Sequence, residues 1–210
     1  MKNIGITSRI INDNKHGEIR DTIDQRWIGY LAYTGFNPII IPTGVNYSNF
    51  IKNLNIEGII FSGGDNLFSI SNNNNISQIR DKKEKIILQH ALNERIPIYG
   101  VCRGMQFIAE YFGSTLKKVK NHVGRKHKVF LNEKFWGTSF LKNKTSVNSY
   151  HEFGIDRLGN NLINVVISED ENIEAFVHSK LRIFCQMWHP EREKPYSVSD
   201  VQLINKFFND

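Results

Sequence analysis

The sequence predicts an α/β fold: an open, mainly parallel sheet with helices on both faces, plus a small antiparallel extension. Two patterns carry this prediction. In the first half, short apolar runs alternate with amphipathic helical stretches, as in right-handed βαβ units. In the second half, short strand-like runs follow one another, which indicates antiparallel pairing. The chain has 210 residues and no recognisable linker, so we expect one domain over residues 1–210.

The strands predicted in the first half are mainly apolar and β-branched runs, which is typical of strands covered on both faces. They are residues 3–8, 38–42, 58–62 and 96–101. Asp21 is expected to open the first helix, and Gly35 to end it as a C-cap. Its apolar face comprises Ile23, Trp27, Ile28, Leu31 and Ala32. A second helix is predicted over residues 77–94, with Ile79, Ile86, Ile87 and Ala91 on its apolar face.

After a helix that begins near Arg103, the pattern changes to short strands. They are predicted at residues 115–119, 129–131, 146–150, 162–167, 173–177 and 182–186. A closing amphipathic helix is predicted over 198–208, with an inward face of Val198, Val201, Leu203, Ile204, Phe207 and Phe208. The asparagine-rich run at 71–75 is interpreted as a polar loop, either composition bias or a lid over the site.

The composition of the chain bears on its compartment and on whether a membrane or a nucleic acid is expected as a partner. The two cysteines form no disulfide framework, and no secretory or membrane-spanning segment is recognisable, so we expect a cytoplasmic protein that does not enter a membrane. The net charge of +6 would attract anions. Without a zinc-finger spacing or an RNA-binding motif, this charge does not predict a nucleic-acid partner. The sequence leaves the oligomeric state open.

Cys102 lies in a Gly-Val-Cys-Arg-Gly run between a predicted strand and a predicted helix. Small residues two positions before and after the cysteine are typical of a nucleophile elbow, in which a strained turn exposes the central side chain. A helix N-terminus also favours the negatively charged thiolate. The alternative is a buried cysteine beside packing glycines. Cys185, within an ordinary strand pattern, is interpreted as a core residue.

A cysteine nucleophile needs a base and a group that orients the base. His189 and Glu191 supply both, because residues i and i+2 of an extended segment project to one side, and Pro190 stiffens the segment. A structural histidine at a strand end is the alternative for this short motif. Cys102, His189 and Glu191 are therefore the predicted catalytic residues.

Gly63 and Gly64 follow the third predicted strand, so they reach the same sheet edge as Cys102. An oxyanion requires backbone N–H donors, and we assign these to Gly64 and Arg103. A plain glycine turn is the alternative.

The elbow, the glycine pair and the His-Pro-Glu run together resemble the class I glutamine amidotransferase superfamily, which has a flavodoxin-like core. More narrowly, the chain is similar to stand-alone γ-glutamyl hydrolases of the peptidase C26 type. The resemblance covers nearly the whole chain and includes Ile4–Arg9, Gly35–Pro42, Ser62–Gly64, Arg80–Asp81, Ile96–Gln106, His122–His127, Val147–His151 and Gln186–Glu191.

The resemblance implies a set of substrate-binding residues. Gln106 is expected to hold the α-amino and α-carboxylate groups of the glutamyl moiety. Tyr150, His151 and Phe153 are expected to close over it, and Gly63, Arg80 and His127 complete the set. Arg80 and Asp81 could instead simply open a surface helix, and His122 and His127 could be plain strand residues. No carboxylate accompanies these histidines at ligand spacing, so no metal site is predicted.

The resemblance implies hydrolysis of a small-molecule γ-glutamyl amide through a glutamyl thioester, without a cofactor. A glutaminase subunit that feeds a synthase and a non-catalytic binding protein are the alternatives. The leaving group is expected to be a phosphate or diphosphate rather than a small amine if a basic cluster faces it. That cluster consists of Lys117, Lys118, Lys120, Arg125, Lys126 and Lys128. A solvated basic hairpin is the alternative, and Glu152-Phe153-Gly154, where relatives often have His or Gln, leaves recognition of this half open.

Overall fold

A large mixed sheet forms the centre of the protein in a computed structural model, which describes residues 1–13, 15–71, 74–132, 135 and 138–210. The strands in chain order are β1 Asn3–Thr7, β2 Arg9–Asp13, β3 Glu18–Thr22, β4 Asn37–Ile41, β5 Ile56–Phe61, β6 Ile98–Val101, β7 Thr115–Lys118, β8 Val123–Leu131, β9 Ser146–Tyr150, β10 Phe153–Arg157, β11 Leu162–Ser168, β12 Ile173–His178 and β13 Ile183–Gln186. The helices are α1 Gln25–Tyr33, α2 Tyr47–Asn53, α3 Asn75–Asn93, α4 Arg103–Tyr111 and α5 Val198–Asn209.

Five strands are parallel, in the order β4, β1, β5, β6 and β13. The sheet continues from β13 through antiparallel β12, β11, β8 and β9, and β10 joins β12 to β7. The predicted α/β class, with a parallel core and an antiparallel extension, is confirmed. A separate two-stranded hairpin, β2 and β3, follows β1.

The two faces of the sheet are covered by different helices. Trp27 of α1 and Phe207 of α5 pack on one face, and Ile87 of α3 and Met105 of α4 pack on the other. Each such side chain contributes about 1.5–3 kcal/mol when it leaves water. Because apolar strands need cover on both sides, this layering explains why the parallel strands are mainly apolar.

The sequence prediction was wrong at several boundaries. The first helix begins at Gln25, where the Asp24 carboxylate caps it, whereas Asp21 lies in β3. The Asp21 carboxylate instead accepts hydrogen bonds from the Ser8 hydroxyl at 2.7 Å and the Thr43 N–H at 3.1 Å, which tie the hairpin to the ends of β1 and β4. The hairpin, α2 and β10 were not predicted. Gly35, with φ 81°, ends α1 as predicted.

Four apolar residues assigned to the inward faces of helices are at least one-third exposed: Ala32, Ile79, Ile86 and Val198. In α3 the buried face includes the charged residues Arg80 and Glu84 instead. In the asparagine-rich run, Asn74 caps α3. The interpretation of this run as a lid also falls on residues 72 and 73, which lie outside the described residues. No helix among the described residues has both the length and the apolarity that crossing a membrane requires.

Candidate active site

The cysteine of the predicted elbow connects β6 to α4. Cys102 has φ 53° and ψ −110°, an arrangement that costs a non-glycine residue about 1–3 kcal/mol. The flanking glycines are required by close packing. A Cβ at Gly100 would lie 2.7 Å from the Cys185 Sγ, and one at Gly104 would lie 2.0 Å from the Phe61 carbonyl oxygen. The turn therefore holds Cys102 at the carboxyl end of the parallel sheet, where the sequence placed it.

The His-Pro-Glu segment follows β13, the parallel neighbour of β6. The His189 Nδ1 lies 2.6 Å from the Glu191 Oε1, and both side chains are almost fully buried. His189 is extended as predicted, but Glu191 lies in a short 3-10 turn rather than on an extended backbone. Asn148 of β9 fixes the segment, since its side chain accepts from the His189 N–H at 2.9 Å and donates to the His189 carbonyl at 2.8 Å.

The charge state of His189 is set by its two neighbours. Burial alone would lower the pKa of this imidazole, because it disfavours the charged form. The negative charges of Glu191 and of the Cys102 thiolate, together with the hydrogen bonds to both, outweigh burial and raise the pKa of His189 to about 9. The arrangement therefore favours the imidazolium form of His189.

The glycine loop after β5 lies beside this pair. A Cβ at Gly63 would lie 2.6 Å from the His189 Cε1 and 3.5 Å from the Cys102 Cβ, so only glycine fits there. Gly64 has φ 139°, and its N–H has no acceptor among the described residues. Arg103 is the first residue of α4, where the backbone N–H has no partner within the helix. The two proposed oxyanion donors thus belong to the loop and the helix that flank Cys102.

A buried ionic network holds the glycine loop after β5 in place. The Arg80 guanidinium donates to the carbonyls of Ser62 at 3.0 Å and Gly63 at 3.2 Å, and to the Glu84 carboxylate at 3.0 Å. The Arg103 side chain also pairs with Glu84. Although burial would raise the pKa of Glu84, the charges of Arg103 and Arg80 hold it below its usual value.

Arg80 and Asp81 do not open a surface helix. Arg80 is 2% exposed, and Asp81 pairs with the buried Arg103 side chain and accepts from the Phe68 N–H at 2.8 Å. Arg80 was expected to bind substrate, but its described contacts reach the loop. Its influence on a bound substrate would therefore pass through the carbonyls of Ser62 and Gly63.

The other expected substrate-binding residues are placed in two groups. Tyr150 lies at the site, with its ring edge-on to His189 at a centroid distance of 5.7 Å. Gln106 is one turn beyond Cys102 and donates its side-chain amide to the Phe153 carbonyl at 2.7 Å. Gln106 and Phe153 therefore connect α4 to the start of β10.

His127 and His151 form the second group, together with His122. Their rings surround the buried carboxylate of Glu174, with the ligand atoms of all four residues within 4.8 Å of one another. No carboxylate lies at ligand spacing from these histidines in the sequence, but the fold brings the Glu174 carboxylate to them. Glu174 belongs to β12, far along the chain, so ligand spacing in the sequence could not reveal it.

Three residues at the site were missed from the sequence: Asn148, Arg9 and Arg192. Arg9 and Arg192 line the crevice beside Gly63, Gly64 and His189. The Arg192 guanidinium lies 4.5 Å from the centre of the Tyr150 ring. The sequence could have indicated Arg9 as a site residue, because it follows β1 at the carboxyl edge of the parallel strands. Arg192 directly follows the His-Pro-Glu run.

The predicted basic cluster is largely solvent-exposed, and one member is already paired. The Lys126 ammonium lies 2.8 Å from a Glu193 carboxylate oxygen. Arg125 and Lys128 are exposed on β8, and Lys117 and Lys118 are exposed on β7. Among the cations of the described residues, Arg9 and Arg192 line the crevice directly.

The second cysteine lies away from this chemistry. Cys185 is fully buried in β13, and burial raises the pKa of its thiol well above the usual value. Its Sγ packs against the backbone of the elbow at Gly100. These observations agree with the assignment of Cys185 to the core.

Comparisons with known proteins identify the family of the chain. The family model for peptidase C26 matches residues 3–191. The chain is 37% identical to γ-glutamyl-CDP-amidate hydrolase of Campylobacter jejuni, covering 98% of this chain and 97% of that one. It is 27% identical to one subunit of the glutamine-hydrolysing GMP synthase of Methanococcus vannielii, covering 77% and 78%.

Solved structures share the fold. A GMP synthase subunit of Thermoplasma acidophilum superposes with a TM-score of 0.75 at 21% identity, covering 99% of this chain and 92% of that one. A glutamine amidotransferase of Thermotoga maritima gives a TM-score of 0.66 at 14% identity, covering 98% and 83%. With the family model matched over most of its length, the chain belongs to the peptidase C26 family and is a hydrolase that acts on an amide C–N bond.

Proposed function

We propose that the protein hydrolyses a γ-glutamyl amide with Cys102 as nucleophile, His189 as general base and acid, and Glu191 as the group that orients His189. The observation that carries the proposal is the contact of a buried His189 and Glu191 pair with a cysteine on a nucleophile elbow. A thiolate, a proton carrier and an orienting carboxylate are the groups that acyl transfer to cysteine requires.

The reaction follows from this placement. His189 takes the Cys102 proton, and the thiolate adds to the γ-carbonyl carbon of the substrate. The N–H groups of Gly64 and Arg103 stabilise the resulting oxyanion. The intermediate collapses to a glutamyl thioester while His189 protonates the departing nitrogen. Neutral His189 then takes a proton from water, which attacks the thioester and releases glutamate and the free thiol.

The specific substrate proposed is γ-glutamyl-CDP-amidate, with glutamate and cytidine diphosphoramidate as products. The full-length similarity to the Campylobacter jejuni hydrolase supports it. So do the two guanidinium groups that line the crevice, of which Arg9 also pairs with Asp65 at 2.8 Å and Arg192 lies 3.5 Å from the Glu191 carboxylate. Each could meet a phosphate oxygen. Such a product would place the enzyme in capsule phosphoramidate synthesis.

The test compares kcat/KM for γ-glutamyl-CDP-amidate, γ-glutamyl-γ-aminobutyrate and glutamine. We expect the nucleotide substrate to be preferred, and a preference for either small substrate would contradict the assignment. The same comparison in Arg9→Gln shows whether Arg9 contacts the leaving group or the glutamyl half of the substrate. All three compounds carry the same α-carboxylate. If Arg9 contacts the leaving-group phosphate, its loss in Arg9→Gln should therefore lower kcat/KM only for the nucleotide substrate.

For Arg9→Gln we expect a selective loss of about tenfold to a hundredfold, which corresponds to one charge-assisted contact of about 1.5–3 kcal/mol. Arg20→Gln is the matched control, because Arg20 pairs with Asp13 and Glu18 within the hairpin. Equal losses for all three substrates would assign Arg9 to the glutamyl half. Arg125→Gln tests the exposed cluster in the same way.

A glutaminase subunit that supplies ammonia to a synthase is the second candidate, favoured by the similarity to one subunit of the Methanococcus vannielii GMP synthase. Glutamine turnover by the isolated chain, measured with and without an added synthase, distinguishes the two. Strong activation of glutamine hydrolysis by the synthase, with no turnover of the nucleotide substrate, would favour this candidate.

Two parts of the proposal concern the whole chain. We propose that residues 1–210 form one domain, which the continuity of the sheet from β4 to β9 supports. We also propose a reducing compartment, the cytoplasm, because the mechanism needs Cys102 as a free thiol.

A further inference from the structure

Four side chains that the proposed reaction does not use converge in the antiparallel part of the sheet, and we call them the His-Glu cluster. His122 lies just before β8, His127 within β8, His151 between β9 and β10, and Glu174 on β12. The side chain of Glu174 is fully buried, and those of the histidines are at most 9% exposed. Each offers one ligand atom, and these atoms lie within 4.8 Å of one another.

Four of the six distances within the His-Glu cluster are close to the edges of a coordination tetrahedron, and the other two are at most 4.8 Å. The Glu174 Oε1 lies 3.5 Å from the His122 Nδ1 and 3.6 Å from the Nε2 atoms of His127 and His151. The His122 Nδ1 and the His151 Nε2 are 3.3 Å apart. Ligands about 2.0–2.1 Å from a central zinc ion would be separated by about 3.3–3.4 Å. Direct N–H···O bonds are shorter, at about 2.9–3.0 Å.

The outward nitrogen of each histidine faces an acceptor. The His122 Nε2 is 2.9 Å from the Asp170 Oδ2, and the His151 Nδ1 is 3.0 Å from the Phe153 carbonyl. The His127 Nδ1 is 3.4 Å from the Lys128 carbonyl. Because these acceptors favour N–H on the outward side, the inward nitrogens present lone pairs to the centre of the cluster.

At the centre of the cluster the His122 Nδ1 and the His151 Nε2 are within hydrogen-bond distance of each other, but the other inward atoms that the structure describes have no such partner. Both carboxylate oxygens of Glu174 and the Nε2 of His127 are buried without a hydrogen-bond partner among the described residues. A buried carboxylate that faces three lone pairs is strongly unfavourable unless a positive charge lies among them. A metal cation would satisfy all four groups at once.

We propose that His122, His127, His151 and Glu174 bind a divalent transition-metal ion, with zinc as the best match. Three imidazoles and one carboxylate are ligands that zinc accepts, whereas calcium and magnesium prefer oxygen donors. Four protein ligands complete a tetrahedron and leave no position for substrate. The ion therefore has a structural role and takes no part in the proposed reaction.

The structural role follows from what the ligands contact. The Phe153 carbonyl that faces His151 also accepts from the Gln106 side chain on α4. The Glu174 carbonyl accepts from the Met187 N–H at 2.7 Å, two residues before His189. The ion would thus hold the β8–β9 hairpin against the elements that carry the proposed nucleophile and base.

Metal analysis of the intact protein tests the proposal independently of activity. The chain is produced in zinc-containing medium without a polyhistidine tag or chelator, and its metals are measured by mass spectrometry. We expect one zinc ion per chain. After removal of the metal, Co²⁺ should bind to saturation with the visible spectrum of a tetrahedral site, and Zn²⁺ should displace it. Metal-free protein that binds neither ion would show that shared protons hold the cluster, and would overturn the proposal.

Asp170→Asn should weaken the site without removing a ligand, because Asp170 is half-exposed and contacts the cluster only through His122. Loss of such an outer carboxylate is expected to weaken zinc affinity by about tenfold to a hundredfold. Glu169→Gln, on the same turn, is the matched control and should bind zinc normally. His127→Asn removes a ligand and should lose more affinity than Asp170→Asn. Unchanged zinc affinity in both Asp170→Asn and His127→Asn would place the metal elsewhere and overturn the proposal.

Discussion

At the scale of single residues, the protonation of His189 has the largest effect on the proposed reaction. It is buried between Cys102 and Glu191, and the negative charges of these two groups raise its pKa to about 9. Below that pH the imidazolium that must protonate the departing nitrogen is present, and above it the imidazolium is lost. The structure therefore links the pH dependence of acylation to one identifiable pair of negative charges.

We expect kcat/KM to fall as pH rises through about 9, and Glu191→Gln to move this fall to lower pH. The substitution keeps the size of the side chain but removes the negative charge that raises the pKa of His189. Activity near neutral pH should also decrease by roughly one to three orders of magnitude, less than on loss of the nucleophile. The measurement is a pH profile of kcat/KM with one substrate for both proteins, so that titration of the substrate is common to them.

Glu193→Gln is the control for this profile, because Glu193 is nearby but contacts Asn148 and Lys126 rather than His189. Its descending limb should stay where the unsubstituted enzyme has it. An unchanged limb in Glu191→Gln would contradict the orienting role and would require another group to hold His189.

At the scale of secondary-structure elements, the contact of α4 with β5 sets the position of the elbow. A Cβ at Gly104 would lie 2.0 Å from the Phe61 carbonyl oxygen and 2.6 Å from its carbon, both backbone atoms. No side-chain rotation can relieve that overlap. Any larger residue must therefore move the helix that begins just after Cys102 away from the sheet.

Gly104→Ala is expected to lower the free energy of unfolding by about 1–3 kcal/mol or more, the range for overpacked interiors. Catalysis should fall as well, because Cys102 moves with α4. Urea unfolding followed by tryptophan fluorescence measures the stability. Gly44→Ala is the control, since its Cβ would meet nothing within 4 Å. A Gly104→Ala protein as stable as Gly44→Ala would contradict this packing.

The elements themselves were predictable where the signal was local. Apolar runs predicted the parallel strands, and the glycine spacing around Cys102 predicted the elbow. The β2–β3 hairpin was missed because Asp21 suits a helix start as well as its actual role, which is to bond Ser8 and Thr43 across the ends of two strands. A residue whose partners lie elsewhere in the chain cannot be assigned from its neighbours in sequence.

At the scale of the whole molecule, the predicted part of the site comes from short sequence motifs, and the rest depends on contacts between residues that are distant in the sequence. Cys102, His189 and Glu191 belong to short motifs, and the structure brings them together. The supports of the Ser62-Gly63 loop and the His-Glu cluster were not predictable, because Arg80 and Glu174 come from distant elements. Arg80 resembled a surface residue on a polar helix, and Glu174 resembled one alternating residue of a strand.

The proposed mechanism depends on a covalent thioester at Cys102, and its most direct test is the turnover of γ-glutamyl-CDP-amidate by Cys102→Ala. We expect a loss of about a thousandfold or more in kcat, by analogy with nucleophile removal in triad enzymes, with an unchanged unfolding midpoint. Cys185→Ala controls for loss of the other thiol and should remain active. If Cys102→Ala retains even about a tenth of the activity, far above the residual rate expected without a nucleophile, the proposed mechanism is wrong.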